Sequence, residues 1–110
     1  MYAIDGRVKK VNGVEVETFR RFVEEGKAVL EAEAGTTGFK GGGCRMAGGR
    51  FFLCIDSVNG DFLFKPVLDK DEKCVGVMIA GSGDDALNAI LKALGFCLEA
   101  LADQCAGAND

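Results

Sequence analysis

Phe51-Phe-Leu-Cys-Ile-Asp-Ser-Val-Asn-Gly-Asp-Phe-Leu-Phe-Lys-Pro-Val-Leu68 is two β-prone runs around an Asn59-Gly60 dipeptide. Asn-Gly between such runs is the strongest short-range hairpin signal, because both residues accept the positive φ of a tight turn. A two-residue turn would set Val58 against Asp61, Asp56 against Leu63 and Cys54 against Lys65. Phe51, Leu53, Ile55, Phe62, Phe64 and Leu68 then share one face, which reads as the core side. Phe52, Cys54, Val58, Leu63 and Val67 share the other with Asp56, Asp61 and Lys65. Pro66 cannot donate to a ladder and marks an edge or a bulge.

Upstream, Val8–Val11 and Val14–Thr18 flank a second such dipeptide, Asn12-Gly13, and predict another hairpin. Residues 17–25 fit either a strand or a short helix with Phe19, Phe22 and Val23 on one face. From Lys27 to Ala34, alanines and Leu30 alternate with Glu31 and Glu33, which predicts a strand with one wet side. Downstream, Asp69–Lys73 is a charged turn and Cys74–Ala80 the next strand.

A helix is expected from about 84 to 104, with Ser82 as cap and Asp84 and Asp85 at the positive end of its dipole. At 100° per residue, Leu87, Ile90, Leu91, Leu94, Cys97, Leu98, Leu101 and Cys105 form one stripe. That stripe is assigned to the sheet. A second face holds Ala86, Ala89, Ala93, Phe96 and Ala100, and its small residues suit contact with another copy of the chain. The fold class is therefore α+β: an antiparallel sheet of about five strands covered on one face by a long C-terminal helix.

The 110 residues fit one domain, 1–110, and 48% apolar with 27% charged residues is the globular range. No apolar run reaches the ~20 residues of a membrane span, and no secretory leader is expected at the N-terminus. Residues 1–55 carry nine Lys/Arg against seven Asp/Glu, and residues 56–110 four against ten. The acidic total argues against nucleic-acid binding, which needs a basic surface to displace counterions.

The absence of histidine removes the commonest general base and metal ligand. Five cysteines with no C-x-x-C pair predict neither a zinc site nor a disulfide framework. They read as buried thiols in a reducing cytoplasm, except Cys44, whose Gly-rich, Arg-flanked setting favours exposure. Gly81-x-Gly83-x-x-Ala86, between a strand and the helix, has the form of a dinucleotide fingerprint. Asp84 and Asp85 would repel a pyrophosphate there, and no second strand with a ribose-binding acid follows, so a tight strand-to-helix turn is the expectation. No cofactor and no catalytic group are assigned.

The segment Gly35–Arg50 is distinctive. Seven of the fifteen residues from 35 to 49 are glycine, and no acid lies between Glu33 and Asp56. Glycine amides can form an anion nest, and Thr36, Thr37, Lys40, Gly41, Gly42, Gly43, Arg45 and Arg50 are the candidate ligand-binding residues. It is not a Walker loop, because no Gly-Lys-Ser/Thr occurs. The expectation is a small, self-associating, non-enzymatic cytoplasmic protein, a homodimer, with a Gly-rich basic loop at 35–50. The alternative is a binding protein or enzyme for an anionic or phosphate-bearing small molecule at that loop.

Overall fold

The computed structural model describes residues 4–40 and 48–108. Among the described residues, six strands precede one helix: β1 (Asp5–Val11), β2 (Val14–Glu25), β3 (Ala28–Thr36), β4 (Phe51–Asn59), β5 (Phe62–Leu68), β6 (Cys74–Gly81) and α1 (Asp84–Ala108). The fold is α+β, as expected. The strands form two sheets: an antiparallel β1-β2-β3-β4 sheet and a separate β5-β6 ribbon.

Asn12 and Gly13 both have positive φ, 50° and 81°, and Val11 pairs with Val14. This is the expected two-residue hairpin. Residues 17–25 are strand throughout, because β2 runs unbroken to Glu25. Its pairing puts Phe19 opposite Ala34, Arg21 opposite Ala32 and Val23 opposite Leu30, so Phe19 and Val23 share a face with Leu30, Ala32 and Ala34, while Phe22, opposite Glu31, lies on the other. The predicted strand after Lys27 is β3, and its Ala28, Leu30, Ala32 and Ala34 are fully or nearly fully buried.

The helix lies on β3 and β2, but with the face opposite to the one its sequence suggested. Ala89 and Ala93 are wholly buried, and Ala86, Phe96 and Cys97 nearly so. The leucine stripe faces away: Leu87, Leu91, Leu94 and Leu98 are exposed, while Ile90, Leu101 and Cys105 sit half-buried at its margin. The physical reason lies in β3. Its helix-facing side is Ala28, Leu30, Ala32 and Ala34, which leaves room for a helix backbone to come close only if that helix presents alanine. Alanine against alanine then excludes water, and leucines at those positions would be overpacked.

The helix is longer than expected by four residues and starts after Gly83. Gly83 O accepts the first helical bond, from Leu87 N at 3.1 Å, so Gly83 and not Ser82 takes the cap position. Ser82 instead donates its amide to Asp61 O at 3.1 Å, tying the helix start to the base of the ribbon.

Asn59-Gly60 departs most from expectation. β4 ends by pairing with β3, Asn59 opposite Val29, and β5 pairs with β6, so Val58–Asp61, Asp56–Leu63 and Cys54–Lys65 are not ladder partners. Only Gly60 has positive φ (120°), so a turn with both central residues left-handed is not formed. Asn59 spends its side-chain amide on Lys27 O at 2.6 Å. The β5-β6 ribbon consequently leaves the sheet. The molecule is flat, 47 × 42 × 17 Å, with a Cα radius of gyration of 15.7 Å. A compact chain of this length has about 13 Å.

Candidate functional site

Two regions matter: the neck of the Gly-rich loop and the apolar surface beside the helix. The neck is built where β3 and β4 diverge past the Thr36–Phe51 pair. Thr37 N donates to Arg50 O at 3.0 Å, and Arg50 N donates to Thr37 Oγ1 at 2.9 Å. The Thr36 hydroxyl donates to Arg50 O at 2.7 Å and accepts from Gly38 N at 3.0 Å. The Arg50 guanidinium donates from Nε to Val11 O at 3.3 Å and from Nη1 to Gly48 O at 3.0 Å.

Thr36, Thr37 and Arg50 are thus brought together, and they bind one another and the backbone. Lys40 is exposed beyond them. Gly41, Gly42, Gly43, Cys44 and Arg45 lie outside the described residues. The depression beside the neck, about 280 Å³, is lined by Phe39, Phe51, Leu101 and Cys105 with Thr36 and Arg50, so its wall is mainly apolar.

One residue of the neck was given no role from the sequence. Gln104 accepts from Thr36 N at 3.0 Å and donates to Glu17 O at 2.8 Å. Beyond the Thr18–Gly35 pair its amide bridges β2 and β3, and it fastens the far half of the helix to both. Its only sequence signal is a polar residue at the end of an otherwise small, apolar helix face.

On the sheet face away from the helix, charges are interlocked. Arg20 contacts Asp5 at 2.7 Å and Glu31 at 3.4 Å. These contacts lower the Asp5 carboxyl below its usual range and raise the guanidinium, the Arg20–Asp5 hydrogen bond acting most. Buried Glu33 accepts from the Thr18 hydroxyl at 2.6 Å and lies 3.8 Å from Lys9. Burial, then Asp56 and its neighbouring acids, pushes the Cys54 thiol up; burial pushes Cys97 up to about 11. Neither is an activated nucleophile, since the thiolate is the reactive form. Cys97 is buried as expected, but Cys54 and Cys105 are half-buried and Cys74 is exposed, because its strand stands outside the main sheet.

The second region is a trough. Its floor is the helix side of β4, Phe51, Leu53 and Ile55, and its wall is the margin of α1 that carries Leu101 and Cys105, next to the exposed leucine stripe. Phe51, Leu53, Leu91 and Leu98 are 68%, 50%, 59% and 68% exposed. The ribbon adds exposed Leu63, Val67, Leu68, Val75, Val77 and Met78. Monomeric proteins seldom show contiguous apolar patches beyond a few hundred Å².

Among the described residues, no group of three or more Cys, Asp or Glu is placed to hold a metal ion, and no helix is long and apolar enough to cross a membrane. No protein-family model, curated protein or solved structure matches the chain.

Proposed function

We propose that this chain is a self-associating, non-enzymatic domain whose contact surface is the apolar trough and ribbon. One observation carries this: the leucine stripe of a 25-residue helix stands in water, although the same helix buries its alanines. Burying a leucine is worth ~1.5–3 kcal/mol, so four uncovered leucines beside an uncovered strand form a strong driving force for association. Chemistry finds little support beside it. The thiols with shifted values are disfavoured as thiolates, and the hydroxyls of Thr36 and Thr37 are engaged in the neck.

The test is solution mass by light scattering at micromolar concentration. A mass near twice 11.6 kDa is expected, and a clean 11.6 kDa species overturns the proposal.

Anion binding at the loop is the second proposal. It draws on the acid-free window from 34 to 55 and the exposed Lys40. Phosphate-bearing metabolites should then raise the thermal midpoint of the wild type and not of Lys40→Ala/Arg45→Ala. Absence of any such shift removes it.

A further inference from the structure

Resting on the self-association just proposed, we infer that the trough receives the β5-β6 ribbon of a second copy, each copy giving its ribbon to the other. Four features lead there.

First, β4 is an edge strand of the main sheet and β5 an edge strand of the ribbon. β4 carries one charge in nine residues, Asp56, and lacks the lysines and prolines that protect natural edges, whereas β5 carries both, and Pro66 opposite Leu53 gives up its amide bond in any ladder there.

Second, the ribbon and the trough are complementary. On the ribbon, Phe62, Phe64, Pro66 and Leu68 share a side with Val77 and Ile79, since Phe64 pairs with Ile79 and Pro66 with Val77; Phe62 and Phe64 are half-buried against their own copy's core, whereas Pro66, Leu68 and Val77 are exposed. In the trough, Phe51, Leu53 and Ile55 lie on the helix side of β4, Phe51 beside the half-buried Leu101 and Cys105. β5 beside β4 would put both apolar sides on the helix side of one continuous sheet.

Third, the charges agree. Lys65 is the single charged residue of β5 and β6. It lies on the opposite side of the ribbon, where Leu63, Lys65 and Val67 alternate with the apolar set. On β4 the corresponding side holds Asp56, with Glu31 opposite it and Glu33 opposite Cys54 on β3. Glu31 is already held by Arg20 and Glu33 by Lys9 and Thr18, so the carboxylate an incoming Lys65 meets is Asp56.

Fourth, the hinge is short and already open. Asn59-Gly60 has the composition of a closed two-residue turn, yet the chain passes through it without pairing β4 to β5. The bonds that a closed turn would make within one chain can be made between two chains about a two-fold axis at the hinge. A short hinge is a common origin of such exchange. The register is the one the turn would have set: Val58 with Asp61, Cys54 with Lys65 and Phe51 with Leu68, each pair now split between copies.

The test uses native Cys54 and the variant Lys65→Cys. Directly opposed cross-strand residues lie within disulfide range. Isotopically light and heavy Lys65→Cys protein is unfolded together, refolded and oxidised with diamide. Cross-linked peptides are then identified by mass spectrometry, and light scattering on the untreated wild type gives the mass. The expected result is a dimer in which residues 54 and 65 are joined in hybrid light–heavy peptides as often as random pairing predicts. A 54–65 link confined to a single copy means the turn closes within the chain, and exchange is overturned. A dimer with no 54–65 link overturns exchange and leaves self-association standing, through the leucine stripes alone. A wild-type monomer removes both. Circular dichroism matching the wild type establishes that the variant is folded, and Lys65→Ser in parallel gives no link at that site.

Discussion

Leu98→Ala separates association from folding because the structure places Leu98 in water. The side chain keeps 68% of its surface exposed in the single chain. Full burial of leucine is worth ~2 kcal/mol, so covering the exposed part gains about 1.4 kcal/mol, and alanine retains only a minor share of that. The loss is therefore ~1 kcal/mol per copy. A two-fold dimer holds the residue twice, which makes ~2 kcal/mol, or a dissociation constant weakened roughly thirty-fold. Sedimentation equilibrium over a range of concentrations measures it. Alanine also favours helix, so the fold itself should keep its far-ultraviolet spectrum.

Ala93→Glu is the companion. Ala93 has no exposed surface and lies against β3. A carboxylate there loses its water and finds no partner, which costs several kcal/mol. This variant should unfold at every concentration. If Leu98→Ala instead leaves the dissociation constant within threefold, the leucine stripe is not the interface. If it lowers monomer stability by the ~2–5 kcal/mol typical of a core leucine, the stripe packs inside the chain and the assignment of helix faces is wrong.

Gln104→Ala removes both neck bonds of the helix and should cost about 1–2 kcal/mol, lowering the thermal midpoint by roughly 5–10 °C; an unchanged midpoint would deny Gln104 its clamping role. Gly35→Ala should destabilise by more than ~2 kcal/mol, since a Cβ there collides with Glu17 O and lies 2.7 Å from Thr18 Cα. Gly95→Ala meets nothing within 4 Å and should stabilise the helix by about 0.5–1 kcal/mol, both read from urea midpoints. Cys97 is held neutral by burial, with its ionisation pushed up to about 11, whereas an unfolded thiol ionises near ~8.5. The stability this confers is complete below pH ~8.5 and is lost as pH rises toward 11, on the order of 2–3 kcal/mol in all. Urea midpoints at pH 8 and 10.5 should differ more for the wild type than for Cys97→Ala, and equal differences would place the thiol in water.

Local chemistry made much of the fold legible. Alternation identified β3, the positive-φ dipeptide identified the β1-β2 turn, and the long periodic segment identified the helix. Each depends on residues near one another in the chain. Partner choice does not. Ala28, Ala32 and Ala34 decided which helix face docks, and they lie fifty or more residues before the helix they select. The neck followed the same division. Thr36, Thr37 and Arg50, named as ligand-binding candidates, do meet, but their hydrogen bonds run to each other and to Val11 and Gly48, so their placement reflects closure of the loop base. Gln104 was given no partner because a glutamine late in a helix has no spacing that announces one 68 residues away.

The two Asn-Gly dipeptides show where turn chemistry stops deciding. At Asn12-Gly13 the flanking strands can pair only with each other and with the sheet that follows, and the turn closes. At Asn59-Gly60 the strand before the turn already has a neighbour in β3, and the strand after it has one in β6. Closing the turn would add a β4–β5 ladder. Leaving it open keeps every bond of both existing ladders, and a second copy can supply the same ladder. The difference between the closed and exchanged forms is then confined to a few residues at the hinge and the entropy of association, since the paired surfaces are the same. That balance shifts with concentration, whereas Asn12-Gly13 is indifferent to it. Replacing Gly60 with alanine at φ 120° strains the hinge in its present form, and a Cβ there would also press on Ala28 at 3.1 Å. Gly60→Ala should therefore destabilise the open hinge, while Gly13→Ala strains only the closed β1-β2 turn. With exchange, the Gly60 variant shifts the dimer equilibrium measured by sedimentation and the Gly13 variant lowers the thermal midpoint alone. Equal effects of the two on association would mean that the Asn59-Gly60 hinge has no special part in it.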